Sequence, residues 1–151
     1  SWASADLKDS ERPLTSRGEH DAFVMASRLR EEGPVQAIIS STAVRATSTA
    51  RLIAEGIEFS TESIVLNSEM YLSGPNKLLE VVQNLDSGLS TVMLICHNPA
   101  ITEFANCMSG ASLDNVPTSG LVKLRFNSNN WADAMLGTAT LLEFDYPKKE
   151  I

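Results

Sequence analysis

The 151-residue sequence is poor in the residues that mark most specialised protein classes. It holds only two cysteines, Cys96 and Cys107, two histidines, His20 and His97, and two tryptophans, with aromatics at 6%. Two cysteines are too few for a disulfide framework, and free thiols in a reducing cytoplasm are the simpler reading. No apolar run approaches the roughly 20 residues needed to cross a bilayer, and the polar residues 1–11 do not read as a signal peptide. Basic residues are outnumbered, with 12 Lys and Arg against 19 Asp and Glu, for a formal net charge of −7. An acidic chain lacks the field expected of a nucleic-acid binder, so any anionic ligand has to be met by a local cluster of Arg or His. Internal repeats, low-complexity tracts and credible linkers are absent too. What remains, 43% hydrophobic and 21% charged, suits one soluble globular domain over residues 1–151, long enough to bury a sizeable core.

The sequence alternates strand-like and helix-like segments. Thr15 or Ser16 can cap a helix running to about residue 32, with Ala22, Met25, Ala26 and Leu29 on its buried face and Gly33 ending it. Val35-Gln36-Ala37-Ile38-Ile39 predicts a buried strand, and residues 43–55 a helix apolar at Ala43, Ala46, Ala50, Ile53 and Ala54. A weaker strand over 63–66 leads into a loop ending near Gly74-Pro75, and Leu78, Val81, Val82 and Leu85 mark another helix face. Val92-Met93-Leu94-Ile95 reads as a buried strand of a parallel sheet. Pro99 fits the first turn of a following helix with Ile101, Phe104, Ala105 and Met108 on one face. Val122, Leu124 and Phe126 alternate, as do parts of 138–144, and these read as two strands joined by a polar loop over 127–134. The alternation predicts a three-layer α/β/α domain with a mainly parallel central sheet. The first helix alone has no strand before it.

Three segments fall at one edge of this inferred sheet. Ser40-Ser41-Thr42-Ala43-Val44-Arg45-Ala46 follows a strand and offers hydroxyls and backbone amides at a helix start, with Arg45 in the first turn. Cys96-His97-Asn98-Pro99 sits at the carboxyl end of another strand, where open α/β sheets place ligands and helix amides attract anions. In Glu11-Arg12-Pro13-Leu14-Thr15, Arg12 stands just ahead of the first helix. Two guanidinium forks, suited to bidentate phosphate contacts, and one imidazole would make a metal-free phosphoryl pocket. Each residue also has a plainer reading. His97 fits a hydrogen-bonded structural residue at a strand end, Arg45 a solvated surface residue, and Arg12 a surface charge paired with Glu11. A cation in a first turn opposes the helix dipole, which disfavours a purely structural Arg45. Arg17, Arg28, Arg30 and Arg51 lie among acidic neighbours as solvated charges, and His20 as an exposed helix residue. Cys96 could be a nucleophile beside His97, but adjacent strand residues point to opposite faces, which makes Cys96 core. Glu69 and Tyr71 lie in a loop within reach of the same edge.

Taken together the segments resemble the histidine phosphatase superfamily, and within it the short SixA-type phosphohistidine phosphatase branch. Residues 10–18, Ser-Glu-Arg-Pro-Leu-Thr-Ser-Arg-Gly, are similar to the branch's Arg-Pro-Leu-Thr…Gly segment, and residues 39–50 to its Ser-Ser…Arg-Ala…Thr-Ala signature. Glu69-Met70-Tyr71-Leu72 resembles its Leu-Tyr loop, Cys96-His97-Asn98-Pro99 its Gly-His-Asn-Pro turn, and Pro117-Thr118-Ser119-Gly120 its Pro-Thr-Ser/Gly-Gly element. The resemblance implies a phosphoglycerate mutase-like fold in a bacterial cytoplasmic enzyme without metal or other cofactor. It also implies a first strand ending in Arg-His-Gly or Arg-His-Ala, whose His becomes phosphorylated, followed within a few residues by Ser-Trp. Ser1-Trp2 opens this sequence, and neither His20 nor His97 stands in that context. The expectation is therefore of an N-terminally incomplete domain.

The resemblance implies two-step phosphoryl transfer through a phosphohistidine enzyme. Arg12 and Arg45 would hold the equatorial phosphoryl oxygens, His97 would hydrogen-bond the transferring group, and Asn98 would brace the turn or add a hydrogen bond to phosphate. Glu69 is the nearest candidate for a leaving-group acid, a role that an imidazole leaving group needs less than an alkoxide. The implied partner is a phosphorylated protein carrying phosphohistidine, or a small phosphoester, with phosphate or sulfate able to occupy the same pocket and neither nucleic acid nor membrane involved. Rival readings are a non-catalytic phosphate-binding domain and an enzyme using Cys96.

Overall fold

The computed structural model describes residues 13–71 and 74–148. Arg12, Leu72 and the other residues of the first twelve lie outside the described residues. The described chain forms two compact units, residues 13–71 with 91–96, and residues 74–90 with 97–148.

In the first unit, helix α1 spans Ser16–Arg30, and Thr15 is its N-cap, its hydroxyl accepting from the Gly18 N–H at 3.0 Å. Gly18, Ala22, Met25, Ala26 and Leu29 recur at helical spacing and form the buried face. The helix ends at Arg30, before Gly33, whose φ of +105° lets the chain turn. Strand β1 (Ala37–Ser40) leads into helix α2 (Val44–Gly56), which packs on α1 and on the sheet. Strand β2 is only Val65–Leu66, shorter than expected because residues 61–63 wind into a single 3₁₀ turn. Strand β3 (Val92–Ile95) completes a parallel sheet in the order β2-β1-β3, with Ile39 opposite both Val65 and Leu94 and Ser40 opposite Ile95. Ile38, Ala50 and Ala54 form a fully buried centre, against which Val35, Phe59, Ile64, Met93 and Ile95 pack. Small residues on α2 let it sit close to the strands, and the apolar run of β3 fills the space beside it.

In the second unit, helix α3 (Pro75–Gln83) starts at a proline, which has no N–H to leave unpaired in the first turn. Helix α4 spans Ala100–Ser109 and ends at Gly110 in the left-handed conformation, φ +74°. Pro99 is the N-cap of α4 rather than a residue of its first turn, and the Asn98–Pro99 peptide is cis. The buried face of α4 is Ala100, Thr102, Phe104, Ala105 and Met108, so a threonine takes the place expected of Ile101. Strands β4 (Leu121–Phe126) and β5 (Ala139–Asp145) pair antiparallel, with an irregularity between Lys123 and Leu124, as a two-stranded sheet of their own among the described residues. Their connection is tied to the region of α3 by two bonds. Gln83 Nε2 donates to the Ala134 carbonyl and Trp131 Nε1 to the Leu89 carbonyl, both at 2.7 Å. The chain is thus mixed α/β, with parallel pairing confined to β2-β1-β3 among the described residues.

Candidate active site

The candidate residues lie on two stretches that follow parallel strands. The first leaves β1 at Ser40. The Ser40 carbonyl accepts from the Asn67 N–H at 2.8 Å, and the Ser41 N–H donates to the Ile95 carbonyl at 2.9 Å. Both serines are buried, and their hydroxyls serve the turn itself. Ser40 Oγ donates to the Ser41 carbonyl at 2.8 Å, and Ser41 Oγ accepts from the Ala43 N–H at 3.4 Å. These hydroxyls, read from sequence as candidates for ligand contact, are turn builders. Arg45 follows as the second residue of α2, half-buried, in a first turn that carries no acidic side chain. A guanidinium beside first-turn amides concentrates positive potential where an anion is favoured.

The Asn67 bond also brings the 3₁₀ turn Ser68–Met70 to the carboxyl end of β1. Glu69 lies on that turn, exposed, with its N–H donating to Asn67 Oδ1 at 2.9 Å. Met70 is fully buried and anchors the turn, so Glu69 is carried on a fixed element rather than a loose loop.

Cys96 ends the first unit. Its sulfur is enclosed, and desolvation pushes the thiol from an ordinary 9.0 up to about 12. The thiolate is the nucleophilic form of cysteine, so this environment works against the reading of Cys96 as nucleophile.

The second stretch begins at His97, two residues past β3. His97 is half-buried, its carbonyl accepts from the Ile101 N–H at 3.1 Å, and its Nδ1 atom is buried without a hydrogen bond among the described residues, while the residue makes other interactions. Asn98 is exposed, yet its side chain is engaged at both ends. Nδ2 donates to the Val116 carbonyl and, at 3.3 Å, to Asn115 Oδ1, and Oδ1 accepts from Thr102 Oγ1 at 2.7 Å. These bonds tie the turn to the 115–116 segment and to α4. Sequence reasoning missed Thr102 and Val116. The one signal was a hydroxyl in the first turn of α4. Ser40, Ser41, Glu69 and Arg45 lie on one unit and His97 and Asn98 on the other. Among the described residues, no group of three or more His, Cys, Asp or Glu could hold a metal ion, and no helix is long and apolar enough to cross a membrane.

Residues 7–70 match the family model of the histidine phosphatase superfamily (branch 1). An uncharacterized chloroplastic protein of Arabidopsis thaliana is 31% identical over 143 residues, which cover 89% of this chain and 65% of that protein, so the chain spans about two thirds of its relative's length. A crystal structure assigned as the phosphohistidine phosphatase SixA from Agrobacterium tumefaciens superposes with a TM-score of 0.82 at 25% identity, covering 97% of this chain and 91% of the other. The protein histidine phosphatase SixA complexed with tungstate superposes equally well, TM-score 0.82, at 19% identity over 97% of this chain and 90% of that one, a likeness of fold. Residues 7–70 are thus similar to the histidine phosphatase superfamily, branch 1, and the chain has the fold of the SixA structures.

Proposed function

We propose that this protein is a phosphohistidine phosphatase working through a covalent phosphohistidine intermediate. The observation that carries the reading is that a chain similar to this superfamily over residues 7–70 has Arg45 in the first turn of α2 and His97 two residues past β3. In the first step a nucleophilic imidazole attacks phosphorus in line, forming one P–N bond as the bond to the substrate's leaving group breaks. In the second, water attacks the phosphoenzyme and releases inorganic phosphate, returning the imidazole. Little covalent chemistry is left to the surrounding protein, whose task is to position and stabilise charge on the equatorial oxygens. Arg45, with Arg12, serves that charge, and His97 hydrogen-bonds the transferring group. Neither His20 nor His97 lies in an Arg-His-Gly/Ala context.

Tungstate bound by a SixA protein of the same fold supports an oxyanion pocket of phosphoryl size. A bacterial, cytoplasmic setting belongs to the same proposal. The chloroplastic Arabidopsis relative marks an organelle as the competing location, and fractionation of the source cells decides between them. The test of activity uses the protein encoded by the intact gene, incubated with a phosphohistidine peptide and with p-nitrophenyl phosphate. Turnover of the peptide with a trapped, acid-labile phosphoenzyme is expected. Binding of tungstate without turnover of either substrate would favour the second reading, a phosphate-binding domain. Turnover of p-nitrophenyl phosphate alone would move the substrate class to small phosphomonoesters.

A further inference from the structure

A closed ring of hydrogen bonds lies behind the His97 turn. The Val116 N–H donates to Thr102 Oγ1 at 3.0 Å, Thr102 Oγ1 donates to Asn98 Oδ1 at 2.7 Å, and Asn98 Nδ2 donates to the Val116 carbonyl. One hydroxyl and one side-chain amide thereby read both backbone polar groups of a single residue. Thr102 is 8% exposed and Val116 1%, so water does not replace these partners at low cost. The ring is directional. A carbonyl only accepts, so Asn98 has to present its NH₂ to Val116, which leaves Oδ1 for the one proton of the Thr102 hydroxyl. That proton being committed, Thr102 meets the Val116 N–H with a lone pair.

Resting on the functional reading above, we propose that Thr102 is a positioning residue for phosphoryl transfer, acting through Asn98 on the orientation of His97. The backbone of the turn is held to α4 by Ile101 N–H to the His97 carbonyl and, at 3.0 Å, Glu103 N–H to the Pro99 carbonyl. Those bonds fix one side of the turn only. The other side is fixed by Asn98 reaching the 111–120 segment, and Thr102 holds the Oδ1 end of the Asn98 amide. That segment is itself rigid near the ring. Gly120 N–H donates to the Pro117 carbonyl at 2.8 Å, and a Cβ on Gly120 would lie 2.6 Å from Val116 Cγ1. Without the hydroxyl, the Val116 N–H loses its acceptor and Asn98 Oδ1 its donor, so the amide is held at its Nδ2 end alone and the turn carrying His97 loosens.

The experiment compares Thr102→Val, which keeps the shape and removes the hydroxyl, with Thr102→Ser, which keeps the hydroxyl, in the protein from the intact gene. Turnover of p-nitrophenyl phosphate, tungstate binding, thermal midpoint and the imidazole NMR resonances of His97 (assigned by their loss in His97→Ala) are measured together, below the melting transition. Thr102→Val is expected to lower kcat on the order of tenfold or more, and to move the His97 resonances in the ligand-free protein. Thr102→Ser is expected to restore both. Thr102→Ala serves the same arm if the valine variant does not fold. Wild-type turnover in the hydroxyl-free variant overturns the proposal, as does loss of turnover with His97 resonances unmoved. If the wild type neither turns over nor takes up tungstate, the functional reading itself fails and the inference with it, an outcome distinct from the other two.

Discussion

Gly56, the last residue of α2, lies directly against Ala26 of α1, so that a Cβ placed on it would stand 2.5 Å from the Ala26 Cβ. Real Cβ atoms do not approach that closely, and Ala26 is fully buried, so the contact cannot be relieved by swinging a side chain. Gly56→Ala is expected to destabilise by about 1–3 kcal/mol through overpacking, read as a lower thermal midpoint. Ala26→Gly alone should cost about 1 kcal/mol of helix propensity. In the Gly56→Ala background the same change removes the opposing methyl, so the double variant should be more stable than the two costs summed. Strict additivity in a double-mutant cycle would show that the helices do not meet there.

Arg45 is expected to separate activity from stability. The first turn of α2 lacks an acidic residue, and Arg45 adds a cation at the positive end of the helix dipole. The fold gains little from that arrangement, whereas a phosphoryl group gains much. Arg45→Ala should lower turnover on the order of 10²–10³-fold and move the thermal midpoint little. Arg45→Lys should recover little of the loss, because a point charge does not reproduce a bidentate fork. Parallel assays of turnover and melting check this. A variant that melts early in proportion to its lost activity would return Arg45 to a structural role.

The elements that were legible in the sequence are those whose pattern is local. The stripe Ala22, Met25, Ala26, Leu29 repeats at helical period and is the buried face of α1. The apolar run Val92–Ile95 is β3, paired in register with β1. The strand expected over 63–66 shrank to Val65–Leu66 because Ser63 N–H bonds the Ser60 carbonyl at 3.0 Å and winds the chain first. On α4 the helical period favours Ile101, yet Thr102 is buried, since its hydroxyl meets Val116 N–H from 14 residues away. No local pattern announces such a partner. For the same reason the sequence could offer Ser40, Ser41 and Asn98 as polar groups at a strand end, but not that their polar atoms are already engaged by the chain. Arg12 lies outside the described residues.

The two cysteines should differ sharply in reactivity. Cys107 is exposed, whereas desolvation holds the Cys96 thiol up at about 12. Iodoacetamide at about pH 8 is expected to label Cys107 in the folded protein and to reach Cys96 only after denaturation, as read by peptide mass spectrometry. The same shift makes a contribution to stability that depends on pH. The folded state holds the Cys96 proton more tightly than the unfolded state does, so the contribution is fully present below pH 9.0 and is lost as pH rises toward about 12. Cys96→Ala should flatten the alkaline fall in stability over that window. Ready labelling of native Cys96 would instead reopen it as a nucleophile.

Glu69 tests the substrate class from the leaving-group side. It stands exposed to solvent on a 3₁₀ turn pinned to the end of β1. Departure of an imidazole from phosphorus needs little protonation help, whereas departure of an alkoxide needs a good deal. If phosphohistidine is the substrate, Glu69→Gln should leave turnover of a phosphohistidine peptide nearly unchanged while slowing hydrolysis of an alkyl phosphomonoester on the order of 10²-fold or more. A Brønsted series of aryl phosphates, steepening in the variant as leaving-group pKa rises, would mark Glu69 as the acid for poor leaving groups. Equal slowing of both substrate classes would tie the carboxylate to a step they share, and an unchanged alkyl phosphate rate would remove Glu69 from the chemistry altogether.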